Sequence, residues 1–225
     1  MPLADRSARN AAIGVRNESD RAVQALVRLE DWDRAEDGSN RWYPYGTRTG
    51  KGSCGQALSI FPQSLRLEPG AEQAIRVVLD SAKAPAGECW AAAVVETVQP
   101  ADRSAQRVTY VIRTAVKIYV QPAGLRADGE IQSLKVSDNQ SSMIEAMFVN
   151  TGSRHLVTEG ALEIRQADNK LVSRVPLPPV YALPGAQHMV RIPMPRLPPG
   201  RYVFLATMDY GGADIAAALL EHRAR

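Results

Sequence analysis

The chain has 225 residues, which is long enough for two all-β domains of about 100 residues each. Its hydrophobic fraction of 45% and charged fraction of 23% are typical of folded globular proteins. The net charge of +3 is evenly spread, with 16 Lys/Arg against 14 Asp/Glu in residues 1–125 and 11 against 10 in residues 126–225, so no nucleic-acid partner is indicated. No run of 18 apolar residues occurs, and we expect no membrane span.

Short apolar segments bounded by turn residues run through the first half of the chain, as expected of β-strands. Between two of them, residues 33–55 are rich in Gly and charge and have no periodicity, which predicts a loop. Counting the Pro-Gly turn inside residues 65–79, there are about seven strands, the number typical of an immunoglobulin-like sandwich. The segments are residues 11–17, 22–32, 57–62, 65–79, 89–98 and 107–122.

The second half repeats this pattern, with turn residues between extended segments. Its last segment, IAAALLEHR, has helical propensity, but Gly211-Gly212 before it favours a hairpin, and we predict a strand. The segments are residues 130–136, 142–150, 160–166, 170–177, 187–194, 201–210 and 213–222.

The boundary between the halves falls near residues 121–124, QPAG. Both halves contain an Asn directly after an early strand, in VRNESD and in FVNTGS. We therefore predict an all-β fold with two immunoglobulin-like β-sandwich domains, at residues 1–122 and 127–225, joined by a short hinge.

Cys54 and Cys89 are the two cysteines of the chain. An even pair is compatible with one disulfide in an oxidising compartment, and two buried thiols are the alternative. Cys54 precedes one predicted strand and Cys89 opens another, so we predict a disulfide between them. The start, MPLADRSARN, lacks the apolar core of a signal peptide, which fits either a cytoplasmic chain or a mature or truncated form of an exported one.

No motif indicates an enzyme, a cofactor or a metal site. The stretch GTRTGKGSCG at residues 46–55 lacks the spacing of a phosphate-binding loop and precedes no helix. The three histidines stand far apart and lack ligand spacing, which favours surface or turn positions for His155, His188 and His222.

One family resemblance runs through residues 10–122. The pieces IGVRNESDRAVQALVRLEDW, SIFPQSLRLEPGAEQAIRVVL, GECWAAAVVE and TYVIRTAVKIYVQP stand in this order. They resemble the N-terminal domain of the periplasmic pilus-assembly chaperones, the PapD-like family, and VKIYVQP is the most specific piece. The resemblance implies a periplasmic protein that binds pilin-type subunits or other surface polypeptides by β-strand addition. It also implies an outer-membrane usher as a further partner.

The same resemblance implies the site residues. Val108, Tyr110 and Ile112 match the apolar positions that face the subunit, and Lys117 matches the lysine that anchors its terminal carboxylate. The family's partner arginine has no counterpart, because Arg6 lies too close to Asn17. We therefore expect the first strand to be truncated.

Other interpretations remain open at this point. The chain could be a structural or adhesion module of a cell-surface appendage. It could also be an enzyme or a carbohydrate-binding module, although no motif supports that class. At the level of residues, the three apolar side chains could be ordinary core and edge positions of a sandwich, and Lys117 a solvated lysine of an edge strand.

Overall fold

The computed structural model describes residues 2–3, 10–48, 52–99, 110–137 and 142–224, and it contains strands and no helix in these ranges. The chain divides into two compact units. The first comprises Met1–Trp32 and Trp42–Gly124, and the second comprises Asp33–Arg41 and Leu125–Arg225. The predicted all-β class with two immunoglobulin-like domains is confirmed. The domain limits of residues 1–122 and 127–225 stay a prediction.

Strands β1 to β9 build the first sandwich. They are β1 Pro2–Leu3, β2 Asn10–Arg16, β3 Val23–Arg34, β4 Asn40–Pro44, β5 Leu58–Phe61, β6 Ser64–Leu67, β7 Glu72–Leu79, β8 Cys89–Gln99 and β9 Tyr110–Val120. One sheet has the order β1-β9-β8-β3-β4, with β6 also pairing with β3, and the other has the order β2-β7-β5. All the registers given for these strands are antiparallel except that of β1 with β9, which is parallel.

Alternating apolar residues of the two sheets form the core of this sandwich, as the period of two in a strand requires. In β3 the residues Ala25 and Val27 are buried while Leu26 between them is 52% exposed. From the facing sheet, Ile75 and Val77 of β7 enter the same core. Strand β8 is buried across its middle, as a strand between two others should be.

Strands β10 to β18 build the second sandwich. They are β10 Gly129–Ser137, β11 Met143–Asn150, β12 Leu156–Val157, β13 Glu159–Gln166, β14 Leu171–Leu177, β15 Tyr181–Ala182, β16 Gln187–Pro193, β17 Gly200–Asp209 and β18 Ile215–Ala224. The sheets have the orders β10-β11-β16 and β14-β13-β17-β18, and β12 pairs with β15. The segment with helical propensity forms β18, as predicted.

A buried asparagine holds the turn after β2. Asn17 is 5% exposed, and its Nδ2 donates hydrogen bonds to the carbonyls of Arg21 at 2.7 Å and Leu67 at 3.0 Å. Its backbone N–H donates to the carbonyl of Ala71, and its carbonyl accepts from the N–H of Gly70. The side chain thus connects two turns that lie about 50 residues apart in the sequence.

The second sandwich repeats this arrangement after β11. Asn150 is fully buried, and its Nδ2 donates to the carbonyls of Arg154 and Ala182, both at 2.9 Å. Its backbone groups pair with Ala186 and Gly185 in the same pattern. The two Asn-containing turns that the sequence repeats therefore have the same structural role.

The segment 33–55 was wrongly predicted to be a loop throughout. Strand β3 continues to Arg34, and β4 covers Asn40–Pro44. A tight turn joins them, in which the N–H of Ala35 donates to the carbonyl of Ser39 and Gly38 has a φ of +84°. Most residues of this hairpin are polar, and its aromatic residues Trp42 and Tyr43 are adjacent, so it lacks the apolar alternation by which strands are recognised.

Cys54 and Cys89 form a disulfide in the first sandwich, with their Cα atoms 4.8 Å apart. Both residues are fully buried in the core cluster. The bridge connects the start of β8 to the loop before β5 across a sequence separation of 35 residues.

Removal of this disulfide should destabilise the first sandwich by about 3–4 kcal/mol, because the cross-link restricts the unfolded chain. We expect dithiothreitol to lower the midpoint of urea unfolding for the native chain. A Cys54→Ala/Cys89→Ala double variant should start from the lower midpoint and not respond to the reductant. Equal midpoints for the oxidised and reduced native chain would contradict this prediction.

Candidate functional site

Strand β9 pairs over its whole length with β8 on one side, but on the other side it pairs only at its end. Its register with β8 runs from Tyr110 opposite Gln99 to Val120 opposite Cys89. On the other side, β1 pairs with Tyr119 and Val120. Within the described ranges, residues 110–118 have no strand on that side, and they therefore present backbone N–H and C=O groups along a sheet edge.

The side chains of β9 divide between the two faces of the sheet. Ile112 is on the face that carries the buried Val95 of β8 and the half-buried Val116, and it is 50% exposed. Val111 is on the outer face and is 56% exposed. Two large apolar residues at such exposure on an unpaired edge are unusual, because edge strands are commonly protected by charge.

Of the three predicted apolar positions, only Ile112 has a described side chain. Val108 lies outside the described residues, and Tyr110 is described only by its backbone in β9. Ile112 lies on the unpaired part of the edge. Lys117 is five positions further along the strand, and it therefore lies on the opposite face of the sheet from Ile112.

Lys117 lies beside an aromatic pair on the outer face. Its Nζ is 3.9 Å from the centroid of the Trp32 ring, a cation–π contact. Trp32 is 2% exposed, and its ring meets that of Tyr119 edge-on with centroids 5.9 Å apart. Lys117 as a whole is half-buried and lies close to the end of the unpaired edge.

A carboxylate network ties the outer face of β9 to β3. Glu30, 7% exposed, accepts a hydrogen bond from the Arg28 Nε at 2.9 Å and one from the Arg113 guanidinium. Arg28 also donates to Glu96 at 2.8 Å, and this hydrogen bond raises the pKa of Arg28. The guanidinium of Arg113 lies 5.3 Å from the ring centroid of Trp42.

The sequence analysis missed Glu30, Arg113 and Trp32 as parts of this region. Glu30 and Arg113 are 83 residues apart, and only the register of β3, β8 and β9 brings them together. An available signal was the acidic EDWD run, because buried carboxylates require partners.

A cavity of about 350 Å³ opens beside β9, between the two sheets of the first sandwich. Its walls come from β2 and β9, and half-buried apolar side chains of both strands line it. It lies on the same face of the sheet as Ile112, opposite the Lys117 face.

The described part of the chain holds no group of three or more His, Cys, Asp or Glu placed to bind a metal. In the same part, no helix is long and apolar enough to cross a membrane. What the edge of β9 can do chemically is form hydrogen bonds with another extended backbone.

Replacing Glu30 by Gln should destabilise the protein by about 1–2 kcal/mol, because two partly exposed arginines lose their shared carboxylate. Glu68→Gln is the matched control, since the Glu68 pair with Arg66 is exposed on both sides and should contribute no more than about 0.5 kcal/mol. Urea unfolding of both variants measures the difference. A loss at Glu30 no larger than that at Glu68 would contradict a structural role for the network.

Solved structures with the same fold are pilus chaperones. The class 5 fimbriae chaperone CfaA is 14% identical with a TM-score of 0.51, over 100% of this chain and 96% of that one. A chain of the chaperone–tip adhesin complex of CFA/I fimbriae is 14% identical at 0.53, over 96% and 92%. The YadV chaperone is 15% identical at 0.51, over 96% and 94%.

No curated protein matches the sequence. The family model of the pili and flagellar-assembly chaperone, PapD N-terminal domain, matches residues 3–126, which is more than half of the chain. This match covers Leu3 of β1 and all of β2 to β9, including the edge strand β9. The chain belongs to the PapD-like family of pili and flagellar-assembly chaperones.

Proposed function

We propose that this chain is a periplasmic chaperone that binds pilin-type subunits or other surface polypeptides by β-strand addition along β9. It acts by binding alone and catalyses no reaction. The partner's strand pairs with residues 110–118, and Ile112, with Val108 and Tyr110, provides the apolar contacts. After subunit capture, an outer-membrane usher is the expected acceptor of the complex.

The proposal rests on one observation: β9 pairs with β8 over its whole length, whereas β1 pairs with it on the other side only at Tyr119 and Val120. A row of unpaired N–H and C=O groups is a template for another extended chain. A partner strand there would receive main-chain hydrogen bonds for affinity and contacts with alternate side chains for specificity. Exposed Ile112 on this edge supports a partner with apolar side chains.

Lys117 is the residue that would bind the C-terminal end of the partner strand. A carboxylate can accept a charge-assisted hydrogen bond from its ammonium, and such bonds are stronger than neutral ones. The contact with Trp32 restricts the lysine side chain, which lowers the entropy lost when a carboxylate binds. We propose that the terminal carboxylate of the partner occupies this position.

The Cys54–Cys89 disulfide supports a periplasmic location, because disulfides persist in oxidising compartments. One solved relative in fold is a chaperone bound to a tip adhesin. By analogy we propose that the partner here is likewise a subunit of a surface appendage. An adhesion module would instead be part of the assembled fibre and would not release its partner.

Replacing Ile112 by Ser should weaken capture of a purified pilin-type subunit by about tenfold or more, since an apolar contact at the interface is lost. Stability should change by no more than about 1 kcal/mol, because half of Ile112 is already exposed. Leu26→Ser is the matched control at 52% exposure on β3. Biolayer interferometry measures binding, and thermal melts measure stability.

Equal affinities of the Ile112→Ser variant, the Leu26→Ser variant and the native chain would contradict the proposed strand. A large stability loss in the Ile112 variant would instead identify Ile112 as an ordinary core residue.

Replacing Lys117 by Ala should also weaken capture, and the loss should depend on the partner's carboxylate. We expect the variant to bind a subunit with a free C-terminus about tenfold less tightly than the native chain does, because the charge-assisted bond is removed. A subunit with an amidated C-terminus should bind both chains equally. Lys170→Ala, at an exposed lysine between β13 and β14, is the control. The same loss with both subunits would contradict the anchoring role.

A further inference from the structure

A cavity of about 390 Å³ opens at one end of the sheet β14-β13-β17-β18 in the second sandwich. It lies where β17 begins and β18 ends, and Ala167, from the turn between β13 and β14, is also in its wall. Its volume is within the range of about 300–1,000 Å³ that is typical of small-ligand sites. The acidic and basic residues in the wall include Arg201, Glu221 and Arg223.

Two arginines face each other in this wall. Arg201 of β17 and Arg223 of β18 lie directly opposite each other in the register of the two strands. Residues in this position share a face of the sheet, with their Cβ atoms about 4.5–5.5 Å apart. Two like charges so placed destabilise the strand pair. The arrangement is therefore unfavourable unless a negative charge lies between the two guanidinium groups.

The other arginines of the same sheet have such a negative charge. Arg165 and Arg174 both contact the carboxylate of Glu163, at 2.7 and 3.9 Å. Among the residues that the structure describes, neither Arg201 nor Arg223 forms an ion pair. The sheet thus neutralises two of its four arginines and leaves the two at the cavity without a carboxylate.

Glu221 leaves the cavity positive. It lies on the same face as the two arginines, opposite Val203, and forms no ion pair within the described part of the chain. Two guanidinium groups and one carboxylate give the wall a net charge of +1 when His222 is neutral. An ionised carboxylate only accepts hydrogen bonds, so the part of a ligand beside Glu221 must be a donor such as a hydroxyl.

The opposite face of the same strand segments is packed. Tyr202 is 4% exposed, and its hydroxyl donates to the carbonyl of Pro198 at 2.9 Å. The ring of His222 stacks on that of Phe204, with centroids 5.2 Å apart. Tyr202 and His222 each adjoin one of the two arginines in sequence, so these contacts fix the backbone that carries the arginines before any ligand binds.

A guanidinium is planar, and its N–H donors form a fork that matches two oxygens of a phosphate. Two such groups side by side can bind different oxygens of one phosphate. We infer that the cavity binds a hydroxylated phosphate monoester, with the phosphate between Arg201 and Arg223 and a hydroxyl donating to Glu221. The site is in the second unit, whereas β9 is in the first, and the inference does not rest on the proposed function.

Isothermal titration calorimetry of the full chain at constant ionic strength tests the site, with sn-glycerol 3-phosphate, inorganic phosphate and glycerol as the probes. We expect glycerol 3-phosphate to bind at least about threefold more tightly than inorganic phosphate, because of the additional hydrogen bond to Glu221. Glycerol should not bind. Absence of binding by both phosphates would overturn the inference, and equal affinities for the two would overturn the contact with Glu221.

Arg201→Gln and Arg223→Gln should each weaken the binding of glycerol 3-phosphate by at least about tenfold, because charge-assisted hydrogen bonds are lost. Arg174→Gln is the matched control, since that arginine lies on the same sheet and contacts Glu163. It should bind as the native chain does. Native affinity in both cavity variants would overturn the inference.

A charge reversal separates loss of the site from loss of the fold. Arg223→Glu places a carboxylate opposite Arg201 and removes the repulsion between like charges. This variant should melt at or above the native temperature and show no detectable binding. Glycerol 3-phosphate should raise the melting temperature of the native chain and leave that of the variant unchanged. Retained binding would overturn the inference, and a lower melting temperature would contradict the repulsion from which the site is inferred.

Discussion

Strand β9 pairs with a full-length neighbour on one side only, and the proposed function of the protein depends on this constraint. A sheet edge has unsatisfied hydrogen-bonding capacity, and proteins usually protect it with charge, proline or a covering segment. Here Ile112 lies on the edge at 50% exposure, and the cavity beside it is lined by the core residues Val95 and Leu67. An edge of this composition favours pairing with another extended chain.

Two features keep the rest of the first sandwich rigid around this open edge. The Cys54–Cys89 bridge fixes the start of β8, the strand that pairs with β9. Asn17 fixes the turn after β2, a strand that lines the cavity beside β9. Asn17 is also one of the residues that line the cavity beside β9, so its hydrogen bonds hold part of the cavity wall in place.

The sequence was sufficient to predict the class of fold. It was also sufficient to predict the strands that alternate apolar and polar residues and end at turn residues. It was insufficient for β4, because that hairpin is mostly polar and its apolar residues do not alternate with polar ones. Glu30 and Arg113 could not be paired from sequence, since their contact requires the registers of three strands. The cavity beside β9 could not be predicted from the sequence either, because it is lined by strands of two different sheets.

The outer face of β9 explains how an open edge can remain ordered. Arg113 lies within the unpaired stretch, yet its guanidinium is held by Glu30 of β3. Lys117 is held over Trp32 of the same strand. These contacts cross β8 and lie on the face of the sheet opposite the cavity, so they stabilise β9 without occupying its unpaired backbone or the face that carries Ile112. A strand ordered in advance loses less conformational entropy when a partner pairs with it, and the hydrogen bonds of the edge then contribute more of their energy to binding.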